Sequence, residues 1–290
     1  MAALSFPGTS ENSILHAKGR THHWEGHGAL SIKTFTGGKA FYKTHHGYFA
    51  VEEPSYLLLN EGHYAISIES DAEVESFCLF FEEGFAEKVS SSLNRTSKSL
   101  IEDPYRPPAA PVEFFEKTYP NQPYFTRLLH QLKKQAHLFE QDPLWKEEQF
   151  HCIMQAVLAD QQKVIKEVES LPALRFSTRE EIYRRLILAH DYIVACYNRS
   201  LTLEDMASVA CMSANHLLRN YKILYGKTPH QQITEKRLDE AKRMLAANKS
   251  TMTEIALHIG FETPAAFNKM FKKHTGLSPS QFQKSEIGKA

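Results

Sequence analysis

The second half of the chain contains the stretch Thr253-Glu-Ile-Ala-Leu-His-Ile-Gly-Phe-Glu-Thr-Pro-Ala-Ala-Phe-Asn-Lys-Met-Phe271. Apolar residues recur at helical spacing on both sides of Gly260, and glycine can take the positive φ that ends a helix. Thr263 is suited to cap a second helix, and Pro264 to occupy its first position. The stretch therefore predicts two short helices joined by a tight turn, a helix-turn-helix.

An earlier stretch repeats this pattern, Leu203-Glu-Asp-Met-Ala-Ser-Val-Ala-Cys-Met-Ser-Ala-Asn-His-Leu-Leu-Arg-Asn-Tyr221. Cys211 occupies the place of Gly260, and Ser213 the place of the capping Thr263. The aligned residues are 49 apart before the turn and 50 apart after it, so one residue is inserted in the turn. The repeat predicts two helix-turn-helix motifs, over about 203–224 and 251–274.

A longer helix is predicted between the two motifs. Thr228 caps it, Pro229 starts it and Asn248 ends it. Its buried face is expected to contain Ile233, Arg237, Leu238, Ala241 and Leu245. A helix of about 18 residues spans roughly 27 Å. We expect it to hold the two recognition helices at a separation close to ~34 Å, the repeat of successive major grooves.

The second helix of each motif has an outward face that is polar or basic. Such side chains beside a helix N-terminus suit base edges and phosphates. The predicted DNA-contacting residues are Ser213, Asn215, Leu218, Arg219, Lys222, Thr263, Ala265, Asn268, Lys269, Lys272 and Lys273.

The charge distribution separates the two halves. The 290 residues carry a formal net charge of zero. Residues 1–174 hold 16 Lys and Arg against 23 Asp and Glu, a net of −7, whereas residues 175–290 hold 18 against 11, a net of +7. A basic helical half favours a polyanionic partner such as DNA. On charge alone, an ordinary solvated surface is an equal alternative.

These motifs resemble the DNA-binding domain of the AraC/XylS family of bacterial transcription regulators over residues 186–285. The resemblance rests on Leu203-Glu-Asp-Met-Ala207, Leu217 to Tyr221, Gly226-Lys-Thr-Pro229, Arg237-Leu-Asp-Glu-Ala-Lys-Arg-Met-Leu245, Glu254-Ile-Ala-Leu-His-Ile-Gly-Phe261, Phe267-Asn-Lys-Met-Phe-Lys-Lys273 and Gly276-Leu-Ser-Pro279. It implies basic DNA contacts at Arg219 and Lys269. Leu218 and Ala265 stand where the family commonly has polar residues, which weakens the expectation of direct base readout at these two positions. The recognition helix of the second motif is therefore expected to contact mainly phosphates.

The first half predicts strands between 28 and 81, followed by helices. Strand segments are Gly28–Phe35, Ser55–Leu59, Tyr64–Ile68 and Val74–Phe81, which indicate a β-sandwich or small barrel. Asp103–Pro111 holds four prolines and is predicted to be a linker. Apolar stripes at 125–136 and 150–158 predict amphipathic helices, and Thr178 with Glu181 predicts a capping box.

The expected fold class is α+β with several domains. Residues 1–110 form a cupin-like β-barrel for sensing or dimerisation, as the family resemblance implies, and 111–177 a helical linker or dimerisation segment. Residues 186–285 form an all-α domain in which a long helix joins the two motifs. The predicted effector-binding residues of the barrel are the aromatic strand residues Tyr42, Tyr48 and Tyr56, although strand aromatics more often form simple core.

Histidines in the first half raise an alternative. His22, His23, His27, His45, His46 and His63, with Glu25, Glu52 and Glu53 nearby, could bind a transition metal, but their spacing fits no standard ligand template. We therefore predict no metal, cofactor or catalytic residue. A cupin metalloenzyme fused to a DNA-binding module stays open as an alternative, as does a ligand-independent DNA-binding dimer.

The interpretation favoured by the sequence is an effector-responsive, sequence-specific transcription regulator, with activation the commoner role in the family. Its predicted partners are double-stranded promoter DNA, an unknown small-molecule effector, RNA polymerase if it activates, and a second copy in a homodimer. The four cysteines form no CxxC pair, and neither a signal peptide nor a transmembrane run is found, so we expect a cytoplasmic protein without a membrane partner.

Overall fold

The computed structural model describes residues 11–94, 111–135, 142–248 and 250–287. The chain divides into two compact units, Met1–Ser170 and Leu171–Ala290. The predicted stripe residue Ala136 and residues 103–110 of the predicted linker lie outside the described ranges.

The first unit is built on one seven-stranded antiparallel sheet that curls into a nearly closed barrel. Its strands run in the order β4-β3-β6-β2-β5-β7, and β1 pairs with β6. They are β1 (Ser13–Gly28), β2 (Ser31–Thr36), β3 (Ala40–Thr44), β4 (Tyr48–Val51), β5 (Ser55–Leu59), β6 (Gly62–Phe80) and β7 (Lys117–Pro120). Within the described residues of this unit, three helices accompany the sheet: α1 (Phe85–Asn94), α2 (Pro123–Lys134) and α3 (Pro143–Glu169).

Strand β6 is the spine of the barrel. It pairs with β1 along its whole length, with one irregularity between Gly19 and Thr21. On its other side, β3 pairs with its first part and β2 with its last part. The inward side chains of these strands form one apolar cluster that includes Phe35, Tyr42 and Phe80. The barrel interior is therefore the core of this unit.

Three features of the first unit differ from the sequence expectation. The segments Tyr64–Ile68 and Val74–Phe81 belong mostly to one strand, because β1 pairs continuously beside both. Strand β1 lies mostly before residue 28, where the strands were predicted to start. Its exposed residues, such as His16 and Lys18, alternate with half-buried ones, such as Leu15 and Ala17, and few of the half-buried residues are strongly apolar, so the sequence signal for a strand is weak. Strand β7 falls inside the predicted helical segment 111–177, because its backbone completes pairing with β5.

The helices of the first unit confirm the predicted stripes. Helix α2 buries Phe125, Leu129 and Leu132, and α3 buries Phe150, Ile153, Met154 and Val157. No helix in the described ranges combines enough length and apolar character to cross a bilayer.

The second unit is all helical. It contains α4 (Phe176–Cys196), α5 (Leu203–Val209), α6 (Ala214–Tyr225), α7 (Pro229–Ala247), α8 (Met252–His258), α9 (Pro264–Thr275) and α10 (Pro279–Ile287). The expected α+β fold class, with a barrel and a helical domain, is confirmed.

The predicted cap at Thr178 is wrong. Helix α4 begins at Phe176, and its N-cap is Arg175, without a side-chain cap bond. Glu181 accepts a hydrogen bond from Arg185 Nε at 2.7 Å, one turn later. Its carboxylate therefore supports the helix surface rather than turning back to close a capping box.

Candidate nucleic-acid interface

The first helix-turn-helix comprises α5 and α6. Thr202 opens α5 with a capping box, in which the Thr202 hydroxyl accepts from the Asp205 amide and the Asp205 carboxylate accepts from the Thr202 amide. Ser213 caps α6 and accepts from the His216 amide at 3.4 Å. Leu217 and Tyr221 are completely buried. The opposite face of α6 is therefore turned outward.

The second motif, α8 and α9, repeats this construction. Thr251 and Glu254 form the capping box of α8, and Thr263 caps α9 with a 3.3 Å bond from the Ala266 amide. Phe267 and Phe271 take the buried places of Leu217 and Tyr221. The predicted caps at Ser213 and Thr263 and the predicted inward residues are thus confirmed.

The two turns differ at the residue with positive φ. Gly260 has φ +85°, and a Cβ built there would lie 2.3 Å from the carbonyl oxygen of Asn198. Cys211 holds the equivalent place with φ +49° and is exposed. Its carbonyl accepts a 2.8 Å hydrogen bond from Arg185 Nη1. Close backbone approach makes glycine necessary only in the second motif.

Helix α7 joins the motifs as predicted. Thr228 and Gln231 form its capping box, and Asn248 ends it with φ +50°. Ile233, Leu238, Ala241 and Leu245 are buried. The helix packs against α6 of the first motif and α8 of the second, so one rigid element supports both.

Arg237 of α7 has a role that the sequence did not reveal. Its guanidinium donates to the carbonyls of Tyr197 at 2.7 Å and Arg199 at 2.8 Å. It also lies 5.1 Å from the centre of the Phe261 ring, just after the second turn. Arg237 thereby links the end of α4 to the second motif, whereas its position alone indicated only a place on the buried face.

The predicted DNA-contacting residues lie at the surface. All are exposed except Leu218, which is half-buried: Ser213, Asn215, Arg219 and Lys222 in the first motif, and Thr263, Ala265, Asn268, Lys269, Lys272 and Lys273 in the second. Among the described residues, no ion-pair partner lies within 4.0 Å of the five cations of this set. Their charge is therefore available to a polyanion.

The first unit contains a separate candidate site inside the barrel. A cavity of about 110 Å³ has Phe35, Tyr42 and Cys78 at its buried end and Thr21 and His22 toward the surface. The pKa of His22 is lowered, mainly by burial and further by the nearby His23. A small molecule with an apolar body suits such a lining.

Of the three tyrosines predicted to bind an effector, Tyr42 alone lines this cavity. Tyr48 is 39% exposed and stacks on Phe41. Tyr56 is buried elsewhere and donates to Asp160 Oδ2 of α3 at 3.0 Å. The three tyrosines therefore do not form one site: Tyr42 faces the cavity, Tyr48 faces solvent and Tyr56 faces helix α3.

The histidines predicted as an alternative metal site are dispersed. His27 Nε2 lies 3.1 Å from Glu61 Oε1 at the surface, and the His45 and His46 rings lie 3.6 Å apart. Within the described ranges, no three His, Cys, Asp or Glu side chains are placed to hold a metal ion together.

Comparisons with known proteins bear on the second unit. Residues 206–285 match the family model described as a helix-turn-helix domain. The probable transcriptional regulator LumQ of Photobacterium leiognathi is 29% identical over 98 residues, 34% of this chain and 40% of that protein. The lactose operon transcription activator of Staphylococcus xylosus is 28% identical over 116 residues, 40% of this chain and 41% of that protein. The chain therefore spans about two fifths of the length of these relatives.

Among solved structures, the C-terminal domain of AraT, a response regulator from Geobacillus stearothermophilus, is 29% identical. The match covers 35% of this chain and 84% of that one, with a TM-score of 0.34. The class of the C-terminal part follows from the family model and the curated relatives: it is a tandem helix-turn-helix domain. This domain is of the AraC type, as the resemblance implied.

Proposed function

We propose that the protein is a sequence-specific DNA-binding transcription regulator. The observation that carries this proposal is the pair of exposed, basic recognition helices, α6 and α9, which one rigid helix supports. The curated relatives of the second unit are transcription regulators by name, which supports the same reading.

In the proposed complex, α6 and α9 enter successive major grooves. Arg219 and Lys269 approach base edges or phosphates, and the capped N-termini at Ser213 and Thr263 favour phosphate. Half-buried Leu218 and the small Ala265 offer apolar contact to thymine methyl groups rather than hydrogen bonds. Two grooves one turn apart correspond to a site of roughly 17 to 20 base pairs.

Fluorescence anisotropy with labelled DNA from upstream of the protein's own gene tests this proposal. Binding should be specific over scrambled DNA and should weaken steeply as salt rises, because phosphate contacts release counterions. Absence of specific binding at low salt, with or without cell-derived metabolites, would overturn it.

Two substitutions test the contacts. Arg219→Ala and Lys269→Ala should each weaken binding by about tenfold or less and reduce the salt dependence, since each removes one cation from the interface. Lys284→Ala is the matched control, because Lys284 is exposed on α10 outside both motifs. If the two variants bind as tightly as the control, the assigned contacts are wrong.

The finer parts of the proposal concern regulation. The barrel senses a small molecule or pairs two subunits, and the protein activates transcription in the cytoplasm through RNA polymerase. The named activator among the relatives supports activation by analogy only, over 41% of its length. In vitro transcription with purified polymerase tests this: a fall in transcript on adding the protein would mark a repressor.

Two alternatives remain distinguishable by experiment. A ligand-independent DNA-binding dimer would show no metabolite-induced rise in melting temperature. A metalloenzyme fused to the DNA-binding domain would carry stoichiometric iron, manganese or zinc after purification. The proposed regulator itself needs no catalytic step.

A further inference from the structure

The turn of the first helix-turn-helix is tied to helix α4 by one side chain. Arg185 Nη1 donates to the Cys211 carbonyl at 2.8 Å, and Arg185 Nε donates to Glu181 Oε1 at 2.7 Å on α4 itself. Cys211 stands two residues before Ser213, the N-cap of the recognition helix α6. The guanidinium therefore connects α4 to the point where this recognition helix begins.

The other backbone hydrogen bonds of the turn go to α5. The Cys211 amide donates to the Ser208 carbonyl at 3.0 Å, and the Met212 amide donates to the Ala207 carbonyl at 2.9 Å. These bonds are local, so they shape the turn without reaching α4. In the part of the chain that the structure describes, the hydrogen bond from α4 to this backbone comes from Arg185.

A surface groove separates the first part of α4 from the start of α6. It has a volume of about 390 Å³, and its lining includes Thr178 and Arg185 of α4 together with Met212 and His216 beside the start of α6. An open groove means that close packing does not fix the separation of the two helices at this place. The hydrogen bond from Arg185 is a contact that joins the two sides.

The far end of α6 is also attached to α4. His190 Nδ1 lies 2.9 Å from Tyr221 Oη, and the His190 ring stacks on that of Tyr225 with ring centres 4.4 Å apart. Tyr221 is completely buried, so this attachment belongs to the core of the unit. The helix is thus held to α4 at two points, with the proposed DNA-contacting residues Asn215 and Arg219 between them.

Two points of attachment define the direction of a helix. Cys211 and Tyr221 are ten residues apart, which corresponds to roughly 15 Å at the helical rise. Without the Arg185 bond, a rotation of only about 8° around Tyr221 would displace the start of α6 by about 2 Å over that length. Hydrogen bonds to base edges need donor–acceptor distances of about 2.7–3.2 Å, so such a displacement would break them.

The second motif is attached without a side chain of this kind. A Cβ on Gly260 would lie 2.3 Å from the Asn198 carbonyl oxygen, so the second turn rests directly on the backbone that follows α4. Close contact between two backbones does not depend on Arg185. Loss of Arg185 should therefore change the placement of α6 and leave that of α9 unchanged.

We propose that Arg185 is a positioning residue that sets where the recognition helix α6 enters the DNA, without touching the DNA itself. Its guanidinium is engaged by the Glu181 carboxylate and the Cys211 carbonyl. The inference rests on the proposed DNA-binding function. It assigns to Arg185 control over the sequence preference of the half-site read by the first motif.

Selection of bound sequences from a pool of randomised duplex DNA, with the full-length protein, tests this inference. Arg219→Ala and Lys269→Ala first identify the base positions that depend on α6 and on α9. Arg185→Met should lose about tenfold in preference at the positions that depend on α6, a loss comparable to that of one good base contact. It should keep the parent's preference at the positions that depend on α9.

Glu181→Gln is the matched control, because it removes the ion pair on α4 and leaves the bond to the Cys211 carbonyl in place. It should select the same sequences as the parent. The salt dependence of binding by Arg185→Met should equal that of the parent, since a residue that makes no phosphate contact releases no counterion. Arg185→Met should fold, because the Arg185 side chain is 40% exposed, and a melting curve of each variant checks this.

Four results would overturn the proposal. They are an unchanged preference in Arg185→Met, a loss spread equally over both halves of the site, an equal loss in Glu181→Gln, and a salt dependence lower by about one counterion, which would mark a direct phosphate contact. If the parent itself selects no sequence, the regulator proposal has failed and this inference falls with it. Selection by the parent without an effect of Arg185→Met refutes this inference alone.

Discussion

At the scale of single residues, the two turns of the repeat show how neighbours decide what a position tolerates. Cys211 and Gly260 share the left-handed backbone conformation. Only Gly260 faces the backbone of Asn198 at a distance that excludes a Cβ. The repeat pattern indicated the conformation at both places, but only the packing explains why cysteine occurs at one.

Gly260→Ala should therefore destabilise the second unit strongly. The left-handed conformation costs about 1–2 kcal/mol for a residue with Cβ, and the overlap with Asn198 should raise the loss to about 3 kcal/mol or more. Gly276→Ala is the matched control, because Gly276 has φ +77° with nothing within 4 Å of its Cβ position. Urea unfolding followed by circular dichroism measures both, and equal losses would refute the packing argument.

At the scale of elements, Glu75 joins two strands and a helix. Its carboxylate lies 2.8 Å from His16 Nε2 of β1 and 2.5 Å from Lys133 Nζ of α2. Hydrogen bonds from Lys133 and then His16 hold the pKa of Glu75 at about 2. A depressed carboxyl pKa means that the folded state favours the ionised form.

The pH dependence follows in sign. The stabilisation from Glu75 should be complete above its unfolded pKa of about 4.5 and should disappear as pH falls toward about 2. Glu75→Gln should therefore be less stable than the parent at pH near 6, and the difference should shrink below about pH 4. Thermal melts of both proteins across this range check it, and a difference that grows in acid would contradict it.

Arg237 links elements in the second unit. Loss of two charge-assisted bonds to backbone carbonyls should cost about 2–3 kcal/mol in Arg237→Gln, because the carbonyls of Tyr197 and Arg199 lose their donor. Arg243→Gln on the same helix is the control: the Arg243 side chain is 70% exposed, so loss of its ion pair should cost about 1 kcal/mol or less.

The matching measurement is denaturant unfolding of the second unit, followed by helical circular dichroism. If Arg237→Gln is no less stable than Arg243→Gln, the guanidinium does not hold the second motif to the end of α4.

At the scale of the whole molecule, the charge of the two halves has a consequence for DNA binding. The formal net charge of zero combines −7 in residues 1–174 with +7 in residues 175–290. Non-specific DNA affinity depends on net charge and on local cations. The acidic half should therefore restrain binding to unrelated DNA.

Residues 171–290 alone should bind scrambled DNA more tightly than the full chain at low salt, and the difference should decline as salt screens the repulsion. Anisotropy titrations of both proteins at two salt concentrations test this. Equal affinities at low salt would remove the proposed role of the acidic half.

The sequence alone determined most of the second unit. Its helices are marked by local signals, namely the caps at Ser213, Thr228 and Thr263 and the apolar residues spaced four apart. These signals can be recognised in the sequence because helical hydrogen bonds join residues that are close along the chain. The exposed cations of the recognition helices follow from the same spacing. The predicted cap at Thr178 is wrong because the helix already begins at Phe176, so Thr178 lies inside its first turn.

Only the tertiary structure decided the barrel interior. Strand pairing joins residues far apart in sequence, so neither the long β1–β6 ladder nor the separation of Tyr42 from Tyr48 and Tyr56 could be deduced from alternation. A lysine in a strand ordinarily indicates a solvent face. Lys33 is buried because its side chain lies in the barrel interior, where Nζ donates to Tyr64 Oη at 2.9 Å and lies 3.8 Å from the centre of the Phe80 ring.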